Sequence, residues 1–207
     1  MKIMMKSIFA LTAVFLLFTA AGTTTTGVGP GDKAPGFTLK NIDGRMVSLS
    51  DYEDEKGVIV VFTCNHCPYA KLYEQRIIEL NNKYQSKGFP VVAIQPNDPV
   101  AYPEDSFENM KKRASEKGYT FPYLIDESQD IVKAYGAMAT PHFYLLENDK
   151  NGYFTVRYTG ALDDNYKSAS DVEEKYVEKA IDAMMAGDEV SNQSTKAIGC
   201  SIKLRES

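Results

Sequence analysis

Residues 58–63 read VIVVFT, five apolar positions in succession before a threonine closes the run. A strand with one face in water alternates apolar and polar side chains. A run that is apolar on both faces therefore belongs in the middle of a sheet covered on both sides. Such sheets are built from strands that alternate with helices, so the remainder of the chain is expected to supply both.

It does. Over residues 67–85, Leu72, Tyr73, Ile77, Leu80 and Tyr84 recur at helical spacing. Residues 90–95 (PVVAIQ), 121–126 (FPYLID) and 142–147 (HFYLLE) read as further buried strands. The turn NDKNG leads into an antiparallel strand over residues 153–160. Residues 37–40 and 46–49 flank the turn NIDG and read as a hairpin. Asp105 with Glu108, and Ser170 with Glu173, have the spacing of capping boxes that open helices. The second of these helices is expected to bury Val172, Tyr176, Ala180, Ile181 and Met184. Gly118, Gly136 and Gly187 stand where helices should stop. Asp98 and Asp126, at strand ends, are expected to cap or turn. The pattern predicts one α/β domain over residues 32–187, with an N-terminal β-hairpin and a central mixed sheet flanked by helices. Residues 188–207 would then form a C-terminal tail.

The chain begins with Lys2 and Lys6, an apolar stretch over residues 8–18, and the small residues Thr19-Ala20-Ala21-Gly22. Basic, apolar and small segments in that order predict a secretory signal peptide over residues 1–21. The apolar stretch is shorter than the roughly 20 residues that span a bilayer, so no stable membrane association is expected once it is removed. The Gly- and Thr-rich residues 22–31 are expected to be a flexible leader. The 23 basic residues are outnumbered by 28 acidic ones, and Lys2 and Lys6 lie in the leader. With no basic run elsewhere, nucleic acid is excluded as a partner.

The chemistry concentrates at Cys64-Asn65-His66-Cys67, between the central strand and the helix after it. Two cysteines two residues apart can be a redox pair, a structural bridge or half of a zinc site. No second such pair is present to complete a four-ligand zinc centre, and no metal is expected. Cys64 lies at the C-terminal end of a central strand, where open α/β sheets place their sites. It also lies just ahead of a helix N-terminus, whose dipole and free N–H groups favour a thiolate. Cys67, one turn further in and less exposed, is placed to bridge it. Cys64 is then the nucleophile and Cys67 the resolving thiol. A cationic His66 would stabilise the thiolate further; the plainer reading of His66 is a surface histidine. An exported chain with three cysteines leaves one over. Cys200 can be a buried apolar residue, a partner for another molecule or a third redox thiol.

The strand–CxxC–helix unit followed by ATPHFYLL resembles the thioredoxin fold. That resemblance implies that Pro141 is cis, faces the cysteine pair and, with Thr140, forms the edge on which a substrate disulfide docks. The hairpin FTLKNIDGRMVSL and the stretch FPYLIDESQDIVKAYGAMATP resemble the redoxin branch, which holds TlpA/ResA-type thiol–disulfide oxidoreductases and AhpC/TSA peroxiredoxins. CNHCP, YPEDSFENMKKRA and TKAIGCSIK resemble a peroxiredoxin-like subgroup within it. The implied activity is thiol–disulfide exchange with protein thiols or disulfides in an extracytoplasmic compartment. An upstream electron donor or acceptor is implied, and no dissociable cofactor. Two departures bear on this. The peroxiredoxin Pro-x-x-x-Thr/Ser-x-x-Cys motif has Gly57 and Val61 at its first two positions, and the buried aspartate of thioredoxin is replaced by Val58. A thiol peroxidase is therefore the alternative. A further alternative is a copper carrier of the Sco kind, with His142 joining Cys64 and Cys67.

Overall fold

The computed structural model describes residues 27–205. The signal-peptide expectation falls outside them. In chain order the elements are β1 (Thr38–Asn41), β2 (Met46–Ser48), β3 (Gly57–Phe62), α1 (Pro68–Tyr84), β4 (Val91–Gln95), α2 (Phe107–Lys117), β5 (Tyr123–Ile125), α3 (Asp130–Tyr135), β6 (Ala139–Thr140), β7 (His142–Asn148), β8 (Phe154–Gly160), α4 (Tyr176–Ala186) and β9 (Cys200–Ser201). The main sheet runs β2-β1-β5-β4-β3-β7-β8, and β6 with β9 form a separate two-stranded sheet.

The double-faced run is the reason for this arrangement. Every residue of β3 is buried, and alternate side chains enter opposite cores. Ile59 and Val61 join a cluster with Tyr73, Ile77 and Tyr84 of α1, Met110 of α2 and Ile181 of α4. Val58, Val60 and Phe62 join a second cluster with Phe37, Leu49, and Val132 and Tyr135 of α3. A fully buried aliphatic side chain contributes about 1.5–3 kcal/mol, so a strand buried on both faces anchors both layers. The pairings β3–β4 and β4–β5 are parallel, whereas β7 runs antiparallel to β3 and β8 antiparallel to β7. The sheet is mixed, and the C-terminal ends of β3 and β4 share one edge.

Three local expectations are revised. Asp105 does not cap α2: Ser106 is the N-cap, and Asp105 is turned into the interior with no exposure. Ser170 and Glu173 do not open α4, which begins at Tyr176; residues 169–171 form a short turn instead. Asp164 holds that segment, its carboxylate accepting from the Glu173 amide and its own amide donating to Glu174 O. Within the expected flexible leader, residues 28–31 are held to the fold, with Val28 N donating to Tyr135 O and Gly31 N to Val156 O.

The segment after α4 is strapped across the sheet. Thr159 N donates to Gln193 O, and Thr195 N returns the bond to Thr159 O. Ile202 N then donates to Met138 O, and Asp98 N to Lys203 O.

Gly57 opens β3 with its amide bonded to Gly88 O, a bond that a proline at this position would lose. An added Cβ there would lie 2.3 Å from Leu146 O and 2.8 Å from a Phe89 ring carbon. Gly57→Ala is expected to lower stability by about 1–3 kcal/mol through overpacking. Urea unfolding measures this; an unchanged midpoint would show that β3 and β7 separate freely here.

Candidate active site

β3 ends at Phe62, and Thr63 N still bonds to Ile94 O, so Cys64 emerges at the C-terminal edge of the sheet. Cys67 is the N-cap of α1 and Pro68 its first residue, the position where a missing N–H is harmless. Cys64 is 3% exposed and Cys67 fully buried. The Thr140–Pro141 bond is cis. Thr140 Oγ1 lies 3.2 Å from Cys64 Sγ, and Thr140 O lies 3.4 Å from Cys67 Sγ. Thr140 thus touches both sulfurs.

Cys67 is disulfide-bonded to Cys200, and Cys64 is a free thiol. The bridge present is therefore Cys67–Cys200 and not one within Cys64–Cys67. The cause is the placement of β9, which pairs antiparallel with β6 and sets Cys200 opposite Thr140. The Cα atoms of Cys67 and Cys200 are then 6.1 Å apart, within reach of one bridge. All three cysteines belong to one apolar cluster with Ala70 and Tyr69.

Asp105 organises the loop that carries the CxxC. One of its oxygens accepts from the Asn65 and His66 amides at 2.7 and 3.0 Å. The other accepts from Asn97 Nδ2 at 2.8 Å and pairs with His66 Nδ1 at 2.5 Å. Asn65 is held in turn: its Nδ2 donates to Glu104 O, and its Oδ1 accepts from the Tyr123 hydroxyl. The His66 ring stacks on Tyr102 with centroids 4.8 Å apart. His66 is therefore neither a bystander on the surface nor directed only at Cys64; it is the partner of a buried carboxylate.

The electrostatics of Cys64 are the reverse of the helix-terminus expectation. Burial pushes its thiol up to about 11, and the Asp105 carboxylate pushes in the same direction. Contacts with Thr140, the Cys67 backbone and Asn97 oppose this but do not overcome it. The Cys67 amide at the helix N-cap still reaches the sulfur, but burial and the Asp105 carboxylate outweigh what it offers a thiolate.

His142 does not join the cysteines. Its Nε2 bonds Thr159 Oγ1 at 3.0 Å, its Nδ1 accepts from Met138 N at 3.4 Å, and burial lowers its pKa to about 4. Among the described residues, a grouping with metal-ligand spacing is Cys64, His66 and Asp105, whose ligand atoms lie within 4.8 Å of one another. Asp98 pairs with Arg205 of the strap, and Asp126 caps α3 by accepting from Val132 N.

Asp105 and Asn97 are the site residues that sequence reasoning missed. Both lie between β4 and α2, beyond the C-terminal end of the strand parallel to β3. The rule that loops at that edge build the site was available to find them.

Residues 30–177 match the AhpC/TSA family. The thiol-disulfide oxidoreductase ResA of Geobacillus thermodenitrificans is 30% identical over 170 residues, covering 78% of this chain and 92% of that one. A putative peroxiredoxin of Mycobacterium tuberculosis is 29% identical over 145 residues, covering 70% and 85%. The crystal structure of a conserved protein from Geobacillus kaustophilus superposes with a TM-score of 0.80 at 42% identity, covering 86% and 93%. The fold is thioredoxin-like and is shared with solved thioredoxin-domain and peroxidoxin structures.

Proposed function

The chain belongs to the AhpC/TSA family, and from that premise we propose that it is an exported thiol–disulfide oxidoreductase acting on protein disulfides through Cys64 and Cys67. The observation that carries this reading is the free Cys64 thiol, 3.2 Å from Thr140 Oγ1 at the strand–helix junction. With all three cysteines reduced, the Cys64 thiolate attacks a substrate disulfide. A bond forms between Cys64 Sγ and one substrate sulfur, and the other substrate sulfur leaves as a thiolate. The Cys67 thiolate then attacks Cys64 Sγ, forming the Cys64–Cys67 bridge and releasing the first substrate sulfur. The His66–Asp105 couple, with ligand atoms within 4.8 Å of Cys64 Sγ, supplies an acceptor for the Cys64 proton. Val100 and Met138, 82% and 79% exposed, offer apolar contact to a protein partner from the loop ahead of Asp105 and from the residue before β6. Export rests on the basic, apolar and small segments that open the sequence.

A second reading is a thiol peroxidase. The burial of Cys64 favours it, because peroxide is small enough to reach a buried sulfur without displacing what covers it. The relative named a putative peroxiredoxin favours it too.

One experiment separates the two. Fully reduced protein is offered either a protein disulfide or hydrogen peroxide, with thiol loss followed in each case. Rapid exchange with the disulfide is expected, with a mixed disulfide accumulating on Cys64 in Cys67→Ser and none forming in Cys64→Ser. Slow exchange together with fast, saturable peroxide turnover that survives Cys67→Ser would establish the peroxidase.

A further inference from the structure

The edge expected to receive a substrate is already covered by the chain's own strap. β9 lies antiparallel to β6, with Cys200 opposite Thr140 and Ser201 opposite Ala139. Ile202 N bonds Met138 O at 3.2 Å. Gly199 is pressed so closely that an added Cβ would stand 2.1 Å from Thr140 O. Beyond it, Lys203 N bonds Asn97 Oδ1 and Arg205 N bonds Gln129 Oε1. Asn97 also bonds Asp105, so the strap and the CxxC loop share a partner. The strap presents its cysteine in a disulfide with the site, as an extended substrate segment would.

We infer that Cys200 is a third redox-active residue, which exchanges with Cys64 for possession of Cys67. The inference deepens the thiol-exchange reading and rests on it. Starting from the bridged form, the Cys64 thiolate attacks Cys67 Sγ. The Cys64–Cys67 bond forms, the Cys67–Cys200 bond breaks, and the electron pair leaves on Cys200 Sγ, which takes up a proton as Cys64 gives one up. No outside oxidant or reductant is consumed. The three sulfurs share one apolar cluster around Thr140, so the step needs no domain movement. Its consequence is mechanical as well as chemical. Once Cys200 is released, β9 loses its covalent tie to the site and is held by its pairing with β6 and by the flanking bonds to Asn97, Gln129 and Asp98, so that the edge at Thr140 can be opened to another strand. Burial of Cys64 in the bridged form keeps its thiol protonated, which protects it until the exchange occurs.

The test is thiol trapping on dilute oxidised full-length protein. The protein is incubated with iodoacetamide near pH 8, and the label and the remaining bridge are mapped by peptide mass. The expected result is label on Cys200 in at least threefold excess over Cys64, with Cys64 recovered bonded to Cys67. In Cys64→Ser, labelling of Cys200 should be lost. In Gly199→Ala, which forces β9 away from Thr140 while keeping every cysteine, it should be at least fivefold faster. Label confined to Cys64 with Cys67–Cys200 intact, an absence of label on Cys200, or equal labelling of Cys200 in Cys64→Ser would each make that bridge structural and overturn the inference. Reduction of a protein disulfide by fully reduced Cys200→Ser is measured alongside. A wild-type rate there would leave the thiol-exchange reading standing even if the relay fails.

Discussion

In the Cys67–Cys200-bridged protein, iodoacetamide should modify Cys64 at pH 7 about 100-fold more slowly than it modifies a free cysteine. The factor follows from ionisation alone. Only the thiolate reacts, and a thiol raised from 9.0 to about 11 is ionised at pH 7 about 100-fold less. Burial of the sulfur slows the reaction further. The sign is fixed by the causes. Desolvation penalises the charged form, and the Asp105 carboxylate repels a thiolate, so both act against ionisation. The rate should rise about tenfold for each pH unit and level off only near about 11. Stopped alkylation with mass mapping across pH checks this. A rate at pH 7 like that of a small-molecule thiol would mean that Cys64 is neither buried nor opposed by Asp105.

Replacing Asp105 should be the most damaging single change in the site. Its carboxylate is fully buried and accepts from the Asn65, His66 and Asn97 groups already described. Asp105→Ala strands these donors and leaves His66 without its partner. Each buried donor left unsatisfied costs about 1–3 kcal/mol, and several stranded at once are a large part of the stability of an ordinary domain. Asp105→Asn keeps the volume and one acceptor oxygen, so it should cost less. It also removes a negative charge close to Cys64, which lowers the Cys64 pKa and speeds alkylation at neutral pH. Urea unfolding and thiolate absorbance against pH measure the two effects separately. A stable Asp105→Ala protein, or a Cys64 pKa that rises in Asp105→Asn, would refute the role assigned to this carboxylate.

Much of the framework was legible in the sequence, and for local reasons. The run over residues 58–63 announced a strand covered on both faces because period and branching are properties of neighbouring residues. Gly118 and Gly136 marked helix ends because each adopts a positive φ, 69° and 70°, that other residues disfavour. The spacing of Cys64, Cys67 and Pro68 placed two thiols at a strand–helix junction for the same kind of reason. The capping boxes at Asp105 and Ser170 failed because a cap motif only offers a bond, and distant partners can offer better ones. Asp105 found the CxxC loop 39 or more residues earlier, and Glu173 found Asp164.

By itself, then, the sequence determined the strands of the main sheet, most helix limits and the place of the cysteine pair, since nearest-neighbour preference and periodicity encode them, and its resemblance to the thioredoxin fold supplied the class. Only the tertiary structure decided which sulfur holds Cys67 and how readily Cys64 ionises. The first depends on a strand whose cysteine lies 133 residues further along the chain, brought to Thr140 by backbone pairing that any sequence of suitable shape can make. The second is a sum over neighbours. Asp105, Thr140, Asn97 and the enclosing apolar side chains come from separate segments, and desolvation exists only once they have closed around the sulfur.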